Sequence, residues 1–222
     1  MSKLLIRGIT RFIMGFLLVF LLIFIPAGSL EFYNGWLLII ILFIPMFIFG
    51  LFLFFKNPEL LKIRLNVKEK ERDQKEVIIS SGIMFIIGFV LAGLNYRYNW
   101  FMLPKSISII ASIIFLISYI LYAEVLRENT FLSRTIEVTN NQKVVDTGMY
   151  SIVRHPMYIV TIVLFLMMPL VLGSLISFIV FLVYPFLIVK RIKNEEKVLE
   201  KDLDGYKEYE KKVKYRLIPY IW

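Results

Sequence analysis

Long apolar runs are the feature that most constrains how this chain can fold. Six segments consist almost entirely of apolar residues, and several approach the roughly 20 residues needed to cross about 30 Å of hydrocarbon. Hydrophobic residues make up 59% of the 222 residues, whereas a soluble domain is usually about half apolar. We therefore predict an all-α integral membrane protein. The runs are Phe12–Ile25, Trp36–Phe55, Val77–Tyr96, Ser106–Val125, Ile159–Leu172 and Leu175–Val189.

The last two runs are short and nearly adjacent in sequence. Joined into one helix they would measure about 46 Å at 1.5 Å per residue, which is too long for one crossing without strong tilt. Pro169 and Gly173 lie at the junction, and both residue types commonly interrupt helices. We therefore predict that the last two of about six transmembrane helices form a short helical hairpin, followed by a cytosolic helical tail.

Basic residues concentrate in alternate connections between the runs. Seven lie in residues 56–75 and ten in residues 190–216, whereas residues 29–35 contain none. Six crossings place all the strongly basic segments on one side, which the positive-inside rule identifies as the cytosol. We therefore expect both termini in the cytoplasm. The alternative is a cleaved signal peptide with small residues at 27–29, but cleavage would remove the helix that this charge pattern requires.

The same charge pattern accounts for the formal net charge of +9, so we predict no nucleic-acid partner. The absence of cysteine excludes disulfides, thiolate metal sites and a cysteine nucleophile, and we predict no metal site. The charged stretch 56–75 is interpreted as a solvated helical turn or loop with i,i+4 ion pairs and no chemistry of its own. Apart from Glu124 near one end, the apolar runs contain almost no ionisable residues, which weighs against a transporter.

Two polar clusters flank the predicted hairpin. The first, residues 140–158, contains the only histidine of the chain, His155. The second, residues 190–222, contains Arg191 and Glu195 just past the end of the sixth helix; because they are four residues apart, they share a face on a continuous helix. A hairpin returns the chain to the side that it left, so we expect the two clusters to meet at its base.

Each residue of these clusters also has a purely structural explanation. Arg154 before a transmembrane helix is typical of an interfacial anchor, and Pro156 is common at the first position of a helix. His155 alone is more often a hydrogen-bonded structural group than a catalyst. Glu195 and Glu196 could form a solvated helix face. The case for function therefore depends on the combination and spacing of the residues.

The combined spacing resembles the isoprenylcysteine carboxyl methyltransferase family and its wider phospholipid methyltransferase relatives. The pattern G-x-Y-x-x-x-R-H-P-x-Y occupies residues 148–158, and R-x-x-x-E-E-x-x-L occupies residues 191–199. The pattern Y-x-x-Y at residues 206–209 is followed by Pro219. The resemblance covers roughly residues 120–222, and the first helices contribute hydropathy alone.

The resemblance implies a membrane enzyme that uses S-adenosyl-L-methionine to methylate a lipid-like acceptor. A prenylcysteine-type carboxylate is one example of such an acceptor. The acceptor is expected to enter sideways from the bilayer. It divides the chain into N-terminal transmembrane helices, residues 1–125, and a methyltransferase-like region, residues 126–222. Arg191 is the implied acceptor-carboxylate contact, with Arg154 as a further catalytic residue; Glu196 is a rival of Glu195. The implied cofactor-binding residues are Gln142, Lys143, Val144, Val145, Tyr150, His155, Pro156, Met157, Tyr158 and Glu195.

The role of His155 depends on the acceptor. A carboxylate is already ionised at neutral pH and needs no base. An amine or phenol would need one, and the unperturbed pKa of an imidazole suits that task. We favour a positioning and cofactor-contacting role, while a base role stays open. His155 is therefore also included among the predicted catalytic residues.

Two other enzyme classes remain as alternatives. Membrane sterol reductases, which bind NADPH, carry a similar arginine–histidine–proline turn and a tail like "GYKEYEKKVKYRLIPYIW", but the paired glutamates, the Gly-x-Tyr spacing and the short chain weigh against them. A phospholipid amine N-methyltransferase would differ only in its acceptor. The chain contains no G-x-G pattern, which gives no support to a soluble Rossmann-type methyltransferase. The Ile- and Lys-rich composition is typical of an AT-rich prokaryote, so we expect a prokaryotic cell membrane.

Overall fold

The regular structure of this protein is helical throughout the part of the chain that the structure describes. The computed structural model describes residues 2–66, 72–132, 135–136, 138 and 142–222. A 3-10 helix, Gly148–Ser151, lies between the fifth and sixth α-helices. The α-helices are α1 (Ser2–Ala27), α2 (Tyr33–Lys56), α3 (Pro58–Arg64), α4 (Arg72–Tyr98), α5 (Lys105–Glu128), α6 (Pro156–Val171), α7 (Leu175–Phe181), α8 (Tyr184–Asp202) and α9 (Tyr206–Lys212).

Five helical segments of the described chain are long and apolar enough to cross a membrane. They are α1, α2, α4, α5 and the segment Leu175–Asp202, which comprises α7 and α8. Many large apolar side chains on these helices point outward, including Ile25, Ile120 and Phe186, as expected for surfaces that face lipid. The membrane prediction is therefore confirmed. The apolar helix α6 has 16 residues and is about 24 Å long at 1.5 Å per residue, so six crossings remain a prediction.

A short turn at Leu172–Ser174 joins α6 to α7, and the two helices pack against each other. Gly173 has a φ of +71° there, and a Cβ at this position would lie 2.8 Å from Asn34 Nδ2, so glycine suits the turn on both grounds. The Ser174 side chain accepts a hydrogen bond from the Ser177 N–H and caps α7. The Leu103 N–H donates to the Gly173 carbonyl at 2.9 Å, which fixes the turn against the loop before α5.

The predicted bounds of the second hairpin helix are wrong. Instead of one helix over 175–189, α7 ends at Phe181 and α8 begins at Tyr184. Pro185 lies in the first turn of α8 and has no N–H to donate to the Phe181 carbonyl, which explains the break. Because α8 continues to Asp202, Arg191 and Glu195 lie inside a membrane-associated helix and not past its end.

The largest hydrophobic core cluster of the described residues connects the N-terminal helices with the hairpin. Phe85 of α4 packs edge-on against Phe165 of α6 and Phe181 of α7, with ring centroids 4.9 Å and 5.3 Å apart. The core continues along α8 to the fully buried Ile192. Residues on both sides of position 125 therefore hold the base of the hairpin in place.

Candidate active site

A cavity of about 720 Å³ lies at the base of the hairpin. Its walls come from α2, α3, α4, α5, α6, α8 and α9 and from the segment that precedes α6. All predicted site residues except Pro156 line it, so the two polar clusters meet as the sequence indicated. The predicted residues in its wall are Gln142, Lys143, Val144, Val145, Tyr150, Arg154, His155, Met157, Tyr158, Arg191 and Glu195.

The turn before α6 is hydrogen-bonded to the C-terminal tail. The Arg154 N–H donates to the Tyr215 carbonyl and the His155 N–H to the Arg216 carbonyl, both at 2.9 Å. Pro156 is at the beginning of α6, where its missing N–H costs nothing because the first turn of a helix has no internal acceptor. The tail is therefore a structural part of the site.

Glu196 is the centre of a buried ionic cluster. The residue is 2% exposed. Its carboxylate accepts hydrogen bonds from Arg154 Nε at 2.9 Å and from Arg216 Nε. His155 Nε2 lies 3.2 Å from Glu196 Oε1. Because an ionised carboxylate can only accept, this contact assigns the Nε2 proton to His155.

Arg154 is enclosed by acceptors on every side. Beyond Glu196, its Nη1 donates to the Val213 carbonyl at 2.9 Å, and its Nη2 lies 3.2 Å from Glu210 Oε1. The residue is 7% exposed, so it is not the interfacial anchor that one interpretation of the sequence suggested. Its contacts hold the tail against the turn before α6.

Glu195, the neighbour of Glu196, faces the cavity instead. The Tyr158 hydroxyl donates to Glu195 Oε2 and accepts from Arg191 Nε at 2.8 Å. Arg191 Cζ also lies 5.9 Å from the centre of the Tyr158 ring. The three side chains form a chain of hydrogen bonds across α6 and α8, and Glu196 is not in the cavity wall. This geometry separates the two glutamates that the sequence left as rivals.

The segment before α6 forms one wall through contacts at both of its ends. Gly148 has a φ of +51°, and a Cβ there would lie 1.5 Å from Glu128 Oε1, so glycine is required. The Met149 N–H donates to Glu128 Oε2 at 3.0 Å. The Tyr209 hydroxyl donates to the Tyr150 carbonyl at 2.7 Å. Predicted cluster residues Asn140 and Asn141 lie outside the described residues.

An exposed ion pair ties the same wall to α9. Lys212 Nζ lies 2.6 Å from Asp146 Oδ2. This hydrogen bond and the lysine charge lower the pKa of Asp146 below its ordinary value of 3.8. The contact lies outside the buried cluster and outside the cavity wall, so it adds a weak connection between two surface segments.

Two buried tyrosine hydroxyls at the cavity have unmet hydrogen-bonding capacity. Those of Tyr150 and Tyr206 make no hydrogen bond of acceptable geometry with any described residue, although Asn129 interacts with Tyr150. Burial raises the pKa of both phenols, so they are protonated donors at neutral pH. Unpaired buried hydroxyls are costly, which indicates a polar ligand. Tyr206 was missed as a site residue, although it begins the Y-x-x-Y pattern.

These groups fit the cofactor that the resemblance implies. The cavity volume is in the range of small-molecule sites, and Glu195 supplies an acceptor for an amino group or a ribose diol. Because Pro156 has no N–H and the Tyr158 N–H donates to the His155 carbonyl at 3.1 Å, the Met157 N–H remains for a carboxylate near the start of α6. The two phenols add flat surfaces with polar ends.

The cavity wall also contains residues of helices for which the sequence predicted no role. They are Arg64 of α3, Tyr122 of α5 and four residues that we call the apolar arm, namely Met46 of α2 and Ile78, Gly82 and Phe85 of α4. The interpretation of residues 56–75 as a solvated segment is therefore wrong for Arg64. The alternating charges in the sequence around Arg64 do not indicate that its side chain lines a cavity, since only the packing of α3 shows which side chain faces inward.

Comparison with known families adds an independent observation. Residues 109–201 match the profile of the isoprenylcysteine carboxyl methyltransferase (ICMT) family, which confirms the resemblance. The match includes the turn before α6 and both glutamates of α8, whereas the tail beyond Lys201 lies outside it. The family is a methyltransferase family, and the apolar helices agree with a multi-pass membrane protein. No match was found among curated proteins.

Proposed function

We propose, from the match of residues 109–201 to the isoprenylcysteine carboxyl methyltransferase family profile, that this chain methylates the carboxylate of a prenylcysteine-type, lipid-like acceptor with S-adenosyl-L-methionine. The observation that carries this proposal is the cavity at the base of the hairpin. Its wall combines hydrogen-bonding groups of α6, α8 and the segment before α6 with apolar side chains of α2 and α4. A charged cofactor and an amphiphilic acceptor require these two environments side by side.

The cofactor end consists of residues from three parts of the chain. Residues 142–145 and Tyr150 form one wall, Met157 and Tyr158 another, and Glu195 a third. Glu195 partly balances a positive charge, and the Met157 N–H and the two buried phenols donate hydrogen bonds. The chemistry that S-adenosyl-L-methionine supplies when bound is a methyl group on a sulfonium, which leaves while its bonding electrons remain on sulfur.

The acceptor end requires positioning and no base. Arg191 pairs with the acceptor carboxylate, which is already ionised at neutral pH, and Tyr158 holds the guanidinium through the 2.8 Å hydrogen bond to its Nε. His155 and Arg154 act as positioning residues, because both are bonded to Glu196 and hold the tail. In such an arrangement most of the acceleration comes from holding the reactants together.

The placement of the site fits a division of access between water and lipid. The basic termini and the tail lie in the cytoplasm of a prokaryotic cell, and the cofactor enters from there. The acceptor enters from the bilayer with its tail in the apolar arm.

Ligand binding tests the cofactor part of this proposal. S-adenosylhomocysteine and NADPH are each added to the full-length protein in detergent, and thermal unfolding is followed. We expect S-adenosylhomocysteine alone to raise the melting temperature, since a ligand at about 100 times its Kd stabilises the folded state by roughly 2.7 kcal/mol. Stabilisation by NADPH alone would replace the proposal with the sterol-reductase alternative.

Methyl transfer tests the acceptor. The protein is incubated with methyl-labelled S-adenosyl-L-methionine and either N-acetyl-S-farnesylcysteine or total membrane lipid, with the farnesylcysteine amide as an uncharged control. We expect label on the acid and none on the amide, and release of labelled methanol by mild alkali because methyl esters hydrolyse. Alkali-stable label on a lipid amine would instead identify a phospholipid N-methyltransferase.

A further inference from the structure

Arg64 stands apart from the motif residues yet faces the same cavity. It is the last residue of α3, and residues 1–108 lie outside the region that matches the family profile. Its Nη2 donates to the Tyr122 hydroxyl, and its Cζ lies 5.5 Å from the centre of the Tyr122 ring. Both residues are in the cavity wall. Arg64 thus brings a positive charge to the cavity from a helix that contributes nothing to the buried cluster around Glu196.

The charge of Arg64 has no counter-ion among the described residues. Its Nη1 is buried without a hydrogen-bond partner among the described residues, and the partner of its Nη2, Tyr122, is a neutral phenol. Arg154 and Arg216 differ, because each binds the carboxylate of Glu196. The Arg64 side chain is half-buried, and a buried N–H without an acceptor is costly. An anion bound in the cavity would supply the missing partner.

The surroundings of Arg64 indicate the rest of the ligand. The apolar arm of the same cavity consists of Met46, Ile78, Gly82 and Phe85, which offer apolar surface and no charge. Ser81 is the main polar side chain among them. A ligand that fills this arm and pairs with Arg64 must combine an anionic group with a long apolar part.

We propose that Arg64 binds the anionic group of the amphiphilic acceptor and so determines a preference for anionic over neutral acceptors. This inference rests on the proposed function, because it assigns the acceptor of that reaction to this side of the cavity. The anionic group is a carboxylate or a phosphate, since a guanidinium pairs with either through parallel hydrogen bonds. Arg64 is a specificity-determining residue. It binds the same anionic group as Arg191, and the two guanidiniums reach that group from different helices in the wall of one cavity.

Binding of three matched probes tests the proposal. N-acetyl-S-farnesylcysteine, farnesyl phosphate and the uncharged farnesylcysteine amide are titrated into full-length wild-type protein, Arg64→Gln and Arg64→Lys in detergent. We expect Arg64→Gln to weaken an anionic probe about tenfold, as for one lost hydrogen bond to a charged group, and to leave the amide unchanged. Arg64→Lys should recover part of the loss. The anion that shows the effect identifies the headgroup.

Arg127→Gln is the matched control, because Arg127 is exposed, pairs with Glu124 and is not in the cavity wall. It should leave all three affinities unchanged. Equal losses for the acid and the amide in Arg64→Gln, or no loss for either anion, would overturn the proposal. Binding of S-adenosylhomocysteine to the wild-type protein is measured in parallel. If it does not bind, the proposed function is refuted. The ratio of the affinities for the acid and the amide tests the role of Arg64 separately.

Discussion

The two ends of the cavity are built on different physical principles. The cofactor end is held by the ionic cluster around Glu196 and by backbone hydrogen bonds between the turn before α6 and the tail. The acceptor end has apolar side chains and Arg64, which has no counter-ion among the described residues. A charged ligand of fixed shape needs donors and acceptors at defined positions, whereas an apolar chain needs little more than space. We therefore expect substitutions at the two ends to have different effects on stability and on ligand binding.

The largest effect is expected at Glu196, because its carboxylate holds together the ionic cluster that supports the cofactor end. Glu196→Ala leaves Arg154 and His155 buried without their carboxylate, and breaking a buried ion pair in this way costs about 3–5 kcal/mol. We expect a marked fall in melting temperature in detergent or a failure to fold. Glu195→Ala is the matched control, and an equal loss of stability in both variants would contradict the distinction between the two glutamates.

The adjacent glutamate should affect binding more than stability. Glu195→Ala removes the acceptor of the Tyr158 hydroxyl and the carboxylate in the cavity wall. We expect S-adenosylhomocysteine to bind about 10- to 100-fold more weakly, the range for losing hydrogen bonds to a charged group. Titration calorimetry in detergent measures this, and Glu200→Ala, on the same helix but outside the cavity wall, is the control. Unchanged binding would remove Glu195 from the site.

The apolar end can be altered through its volume. A Cβ at Gly82 would have no described heavy atom within 4 Å, and Gly82 lies in the cavity wall, so Gly82→Leu adds side-chain volume at the apolar arm. We expect affinity for a farnesylated acceptor to fall by roughly tenfold, comparable to shape discrimination in hydrophobic pockets, with a smaller loss for a shorter isoprenoid. Binding of S-adenosylhomocysteine should be unchanged.

The control for that experiment is Gly15→Leu, because Gly15 on α1 also has open space around its Cβ and lies outside the cavity wall. Each substitution replaces a glycine inside a helix with leucine, and this replacement stabilises the helix by up to about 1 kcal/mol. Equal effects of the two substitutions on acceptor affinity would show that the arm does not hold the acceptor tail.

The smallest effect is expected at Asp146, outside both ends of the cavity. Lys212 lowers the pKa of this carboxyl below 3.8, so the stabilisation by the pair is present at neutral pH and disappears as the pH falls through the folded-state pKa. Asp146→Asn should lower the melting temperature slightly at pH 7 and not at pH 2. High salt should shrink the difference as well, since exposed pairs are screened. A difference that persists at pH 2 would contradict this.

The sequence predicted the cofactor end better than the rest of the cavity. His155, Tyr158, Arg191 and Glu195 were identified from motif spacing, and they do line the same cavity. The return of the hairpin to its own side explains why distant motifs meet. Arg64 was not identified, because a short amphipathic helix in a run of alternating charges looks solvated at every position.

The sequence by itself determined that this chain is a helical membrane protein with two polar clusters at the base of a hairpin. Charge-free apolar runs have few alternatives to membrane helices, and connectivity brings their ends together. The tertiary structure alone decided which of two adjacent glutamates is buried. Neighbouring residues on α8 point in directions about 100° apart, so the docked tail encloses Glu196 while Glu195 faces the cavity. The rotation of a helix is set by packing, which no local pattern in this chain records.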